Sequence, residues 1–164
     1  MANARPYHAV APMPLFERLA DDAPFDAEEP VDEAAARALD AAGLRASVRA
    51  ELLRLLNTRR GAPRVPRAPD VLLYGLPDWS AQSAARAEDR AAIEREVTDA
   101  VHAFEPRLRN PRVTIEPDAA APWRLCLRIR GTLRGSDGVE HAIIYVAGQD
   151  GDMQSIGIVD ERLA

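Results

Sequence analysis

Glu105, Pro106 and Arg107 stand in succession where a helical pattern gives way to a strand pattern, placing an acid and a base on one rigid corner. Pro106 cannot continue a helix, and it biases Glu105 away from helical dihedrals. A carboxylate and a guanidinium held this close lock to each other, to nearby backbone, or to a partner protein. Acid catalysis would need a different setting. Glycoside hydrolysis requires two carboxylates flanking a sugar cleft, one of them in an apolar pocket that raises its pKa. Arg107 and the arginines around it favour the charged form of Glu105 instead. The single cysteine, Cys126, lies among arginines with no histidine close in sequence, and His8, His102 and His141 are too scattered to give a metal spacing. His102 reads as a surface residue near the end of a helix. No Gly-rich phosphate loop is present. The expectation is therefore a chain with no catalytic residues, no metal, no cofactor and no small-molecule substrate.

Composition narrows the class further. At 164 residues, 47% hydrophobic but only 5% aromatic, the chain is one domain whose core is built from Leu, Val, Ile and Ala. A lone cysteine excludes an intrachain disulfide and suits a reducing compartment. No apolar run approaches the ~18 residues of a membrane span, and the N-terminus has no apolar signal stretch, so a cytoplasmic protein without direct membrane insertion is expected. All 21 basic residues are arginine, a residue suited to bidentate pairing with carboxylates.

The charges fall in blocks. Residues 1–33 carry eight acids and two arginines (net −6), and 45–67 carry seven arginines and one acid (net +6). Residues 105–134 hold seven arginines and three acids (net +4), and 135–164 hold six acids and one arginine (net −5). Such opposed blocks suggest internal pairing or docking onto charged neighbours. Arg124, Arg128, Arg130 and Arg134 form a basic strip along one predicted strand face. Phosphate tracking is one use for such a strip. Without interleaved aromatics for base stacking, and with the chain acidic overall, the strip is read as facing an acidic protein or solvent and not nucleic acid.

The elements that position these residues follow from periodicity. Residues 1–31 are rich in proline and acids and read as an extended, weakly ordered arm, with Leu15, Phe16 and Leu19 as a short apolar cluster suited to docking on a partner. Residues 32–147 read as the folded domain. A first helix is expected from Asp32 to Gly43. A second, capped by Ser47 and ended by Gly61, carries Val48, Leu52, Leu55 and Leu56 on one face. Residues 61–82 contain four prolines and read as a long loop, within which Tyr74-Gly75-Leu76-Pro77-Asp78 makes a compact turn. A third helix, 84–104, has the stripe Ile93, Val97, Val101 and Phe104. Beyond the corner the period becomes two. Residues 123–133 set Trp, Leu, Ile or Gly at odd positions against Arg, Cys or Thr at even ones, a Gly/Asp turn follows, and 139–147 return as a hairpin. Residues 148–164 form an acidic tail or one short strand at 155–159. Helices first and a small antiparallel sheet afterwards make an α+β fold.

Four segments in this order and spacing carry a resemblance. They are Pro14–Leu19; Ser47-Val48-Arg49 leading to Leu55–Gly61; Tyr74–Asp78; and Glu105-Pro106-Arg107. Over about residues 14–135 the chain resembles the TssE family of type VI secretion baseplate wedge subunits, relatives of phage contractile-tail wedge proteins with an old "lysozyme-related" label. The resemblance implies a structural subunit that docks with the wedge subunits TssF and TssG, with TssK, and with contractile sheath proteins, and that helps to start sheath assembly. It implies a fold like the sheath interlocking domain, in which neighbours add strands to a small sheet, so the 123–147 hairpin is expected to leave an unsatisfied edge. It also places the Glu105–Arg107 corner at contacts with the wedge. Partner contacts are thus expected at Glu105, Pro106, Arg107, Leu15, Phe16, Leu19, Arg124, Arg128 and Arg130. A phage or tailocin wedge protein is a variant of this reading. A stand-alone adaptor is another possibility, and a peptidoglycan hydrolase is the alternative from a different class.

Overall fold

The computed structural model describes residues 11–12, 38–61, 73–83, 85–116, 124–135, 138–149 and 155–163. The elements are β1 (Ala11–Pro12), β2 (Ala38–Leu39), α1 (Ala41–Asn57), α2 (Ala87–Phe104), β3 (Arg109–Ile115), β4 (Cys126–Arg134), β5 (Glu140–Gln149) and β6 (Ile156–Leu163). The short β1 and β2 pair antiparallel, Ala11 opposite Leu39. The other four strands form an antiparallel sheet in the order β3-β4-β5-β6. This is the expected α+β layout.

The start of α1 differs from the sequence reading. Its N-cap is Asp40, whose Oδ1 accepts a hydrogen bond from the Gly43 amide at 2.6 Å. Gly43 therefore lies in the first turn of the helix and does not end one. Ser47 is a buried mid-helix residue and not a cap. The physical reason is that the aspartate next to the helix satisfies an orphan first-turn amide, and glycine at that point costs too little to stop propagation. Residues 32–37, where the separate first helix was expected to begin, lie outside the described residues. At the other end Thr58, not Gly61, terminates α1, with its Oγ1 donating to the Arg54 carbonyl at 2.7 Å. The apolar face is the one expected: Val48, Leu52, Leu55 and Leu56 are all buried. On α2, Ile93, Val97 and Val101 are likewise buried, and Phe104 packs edge-to-face on Tyr74 with ring centroids 5.3 Å apart.

The segment between the helices contributes to the core. Leu76 is buried and bridges to α1, its amide donating to the Thr58 carbonyl at 2.8 Å while the Arg60 amide donates to the Leu76 carbonyl at 2.9 Å. Gly75 makes this approach possible. Its φ of +104° and a would-be Cβ 2.5 Å from the Thr58 oxygen exclude any side chain. Trp79 is buried beneath Arg59, whose guanidinium carbon is 4.8 Å from the ring centroid.

The helices cover one face of the sheet. Val113, Ile115, Leu127, Ile129, Leu133, Ile143, Tyr145, Ala147, Ile156 and Ile158 point inward and are buried, as the period-two pattern of β4 requires. Gly131 breaks the inward row because Leu108 occupies the space, its Cδ1 2.6 Å from where a Cβ would lie.

The sheet corrects one expectation and extends another. The β4–β5 hairpin is central, flanked by β3 and β6, so it leaves no open edge of its own. The acidic C-terminal residues build β6, a full edge strand to Leu163, longer than the short strand at 155–159. Alternating Ile156 and Ile158 supply the inward contacts, and register with β5 continues past a bulge at Val146/Ala147. The outer edges are partly closed by side chains that imitate a further strand. Asn57 Nδ2 donates to the Ile156 carbonyl at 2.9 Å, and Asn57 Oδ1 accepts from the Ile156 amide at 2.8 Å. Arg49 Nη2 donates to the Ile158 carbonyl at 3.0 Å. On β3, Glu94 Oε1 accepts the Ile115 amide at 2.8 Å. These contacts are edge protection built from the helices.

Candidate functional site

The Glu105-Pro106-Arg107 corner is formed where α2 runs out. Glu105 takes the C-cap with φ −124° and ψ 70°, and its amide donates to the Val101 carbonyl at 2.8 Å. Pro106 then turns the chain outward and is exposed. The turn closes when the Leu108 amide donates to the Glu105 carbonyl at 3.1 Å, which delivers Arg109 to the start of β3.

This backbone path folds Arg107 back onto Glu105. Arg107 Nε donates to Glu105 Oε1 at 2.8 Å and Nη2 donates to Oε2 at 2.6 Å, a bidentate pair, and the Arg107 amide adds a bond to Oε1 at 3.2 Å. The third guanidinium nitrogen, Nη1, donates to Ser47 Oγ on α1 at 2.8 Å. The Glu105 side chain is 1% exposed and that of Arg107 18%. Three elements thus meet at one ion pair: the middle of α1, the end of α2 and the entry to β3. The sequence reading allowed intrachain locking or partner contact; in the structure the carboxylate faces inward.

Tyr145, fully buried on β5, belongs to the same neighbourhood. Its hydroxyl donates to the Arg45 carbonyl at 3.3 Å. Burial pushes its pKa well above the ordinary tyrosine value, and the negative charges of Glu161 and Glu105 push it further, while Arg45 and Arg107 oppose them. Tyr74 is raised in the same direction by burial and by its bond to Glu51, 2.7 Å from the hydroxyl.

Chemically, the corner is suited to bracing. Both Glu105 oxygens are engaged by Arg107, so neither is presented to a substrate. Among the described residues no group of three His, Cys, Asp or Glu side chains is placed to hold a metal. No described helix is long and apolar enough to cross a membrane. His102 is exposed on α2, beside an open groove shared with Glu94, Asp99 and Arg112.

The other residues singled out from sequence are dispersed. Arg124 is exposed just before β4. Arg128 is engaged by Glu116, with Nη2 donating to Oε2 at 2.7 Å. Arg130 is exposed on the outer sheet face opposite Arg112 of β3. Leu15, Phe16 and Leu19 lie outside the described residues. Sequence reasoning missed Ser47 as the third member of the corner and Arg112 as the neighbour of Arg130. Ser47 had a cap-like signal that pointed to the wrong role, and Arg112 becomes visible only through strand register.

Comparison with known proteins gives one finding. A family model described as Baseplate wedge protein gp25 matches residues 42–137, from the first turn of α1 to just past β4, with the corner inside the matched span. No curated protein matches the chain.

Proposed function

The chain belongs to the baseplate wedge protein family, and from that premise we propose that it is a structural wedge subunit of a type VI secretion baseplate that helps to initiate contractile sheath assembly. A baseplate role, with other baseplate subunits as its neighbours, is what the family carries. The secretion-system branch, the partners TssF, TssG, TssK and the sheath proteins, and a cytoplasmic location are our extension. They are supported by the four linked motifs, above all Pro14–Leu19 in the arm. The observation that carries the reading is the family match across α1, α2, β3 and β4, the elements that the Glu105–Arg107 pair ties together. In this reading the corner presents Pro106 and the adjoining turn to the wedge, while its ion pair fixes the shape of that turn. Leu15, Phe16 and Leu19 dock the arm, and Arg124, Arg128 and Arg130 contribute to partner contacts.

We read the protein as a non-enzyme, because Arg107 engages both oxygens of the buried Glu105 carboxylate. The test is co-purification of a tagged chain with TssF and TssG from its own cells, paired with sheath foci in a strain lacking it. Stable wedge complexes and lost foci are expected. Association with a phage-tail wedge instead would move the chain to the tailocin branch. Clearing of peptidoglycan that depends on Glu105 would overturn the structural reading.

A further inference from the structure

The outer face of the sheet, opposite the helices, is covered by no other described element. In register across it runs the row Arg112, Arg130, Ile144 and Arg162, one residue from each strand. The next row is Thr114, Arg128, Val146 and Asp160. Three carboxylates on or beside this face are already engaged. Glu116 holds Arg128, Glu140 holds Arg109 at 2.9 Å, and Asp160 holds Arg162. Arg112 and Arg130 are both exposed and have no carboxylate partner among the described residues. Two like charges directly opposite on adjacent strands repel. Beside them Ile144 and Val146 are half-buried, and Ala142 is exposed, leaving an aliphatic floor with no aromatic residue on the outward positions of the described strands.

We propose that this face is a docking site for an acidic, amphipathic segment of a neighbouring protein, with carboxylates bridging Arg112 and Arg130 and aliphatic side chains lying on Ile144 and Val146. Charge complementarity argues for the occupant: an uncompensated guanidinium pair gains most from a carboxylate that is fixed, bidentate and partly desolvated. A nucleic acid fits less well, since the floor offers no stacking surface and acids border the face. The proposal deepens the assembly reading by naming the chemistry of one contact, and it rests on that reading only for the neighbour being a protein.

The test uses the full chain and a fluorescein-labelled peptide alternating glutamate and leucine, read by anisotropy. Wild type binds it, binding weakens as salt is raised, and the matching glutamine–leucine peptide binds about tenfold more weakly. R112Q/R130Q loses that tenfold, whereas R54Q/R86Q, which removes equal charge from exposed positions away from the sheet, does not. The melting temperature of R112Q/R130Q stays level or rises, because repulsion has been relieved. Failure of the wild-type chain to bind, or binding indifferent to R112Q/R130Q, overturns the proposal. A fall in melting temperature on R112Q/R130Q would assign the face to the chain's own acidic N-terminal stretch and overturn the partner assignment. Tight binding of a labelled oligonucleotide that R112Q/R130Q abolishes would overturn it in favour of nucleic acid. The co-purification of wedge subunits is a separate readout, so loss of this site alone leaves the baseplate reading standing.

Discussion

A single arginine decides whether the corner holds. Arg107 makes two bonds to the Glu105 carboxylate and one to Ser47, and the carboxylate is shut away from water. Removing one member of a buried pair strands the other charge, so Arg107→Ala is expected to cost about 3–5 kcal/mol of unfolding free energy in urea denaturation. Glu105→Gln keeps the shape and one acceptor oxygen but turns an amide NH2 towards an Arg107 donor, and should cost less because the guanidinium it leaves unpaired is partly exposed. An exposed pair would be worth ~0–1 kcal/mol, so a wild-type denaturation midpoint for Arg107→Ala would show that the corner is not a brace. Tyr145 gives the pH counterpart. Its pKa is raised in the folded state by burial first and by Glu161 and Glu105 next. The unfolded chain therefore releases this proton at lower pH than the folded chain does. The stabilisation is fully present below the ordinary tyrosine value of 10.0 and is lost as pH rises above it. Melting curves taken through the alkaline range should fall more steeply for wild type than for Tyr145→Phe; parallel curves would rule this out.

At the scale of elements, the edges of the sheet depend on helix side chains. Asn57 engages both backbone groups of Ile156, as a neighbouring strand would. Each such bond contributes about 0.5–1.5 kcal/mol net, so Asn57→Ala should cost about 1–3 kcal/mol. The loss should be local, with the Ile156 amide exchanging hydrogen faster while β4 keeps its protection. Unchanged exchange at Ile156 would mean that β6 holds by its pairing with β5 alone. Pattern reading foresaw the inward residues of β4 and the stripe of α2, because burial on one face imposes a period that composition displays directly. It gave β6 only as a tail or a short strand at 155–159, because outward Asp160 and Arg162 dilute the apolar signal to Ile156 and Ile158. The long contact from Asn57 to Ile156 has no local trace either.

For the whole molecule, residues 1–30 are proposed to serve docking more than folding. The core is built from α1, α2, the four-stranded sheet, and Leu76 and Trp79 between the helices, so a chain lacking residues 1–30 should melt close to wild type while its co-purification with wedge subunits weakens. A large drop in melting temperature would instead place Leu15, Phe16 and Leu19 in the core. Residue order alone establishes the α+β class, the apolar faces of both helices, the inward phase of β4 and the conjunction of an acid, a proline and a base at a helix end. These follow from residue type, from periodicity and from short-range sterics, all of which act over a few neighbours along the chain. The assembled fold alone sets which way Glu105 points, that Ser47 of α1 completes its ion pair, that β6 forms the sheet's edge beside β5, and that Arg112 stands opposite Arg130. Each of those joins residues far apart in sequence, or depends on which face of an element meets another. The choice among such pairings rests on burial and charge summed over the assembled fold, and no local stretch of the chain encodes it.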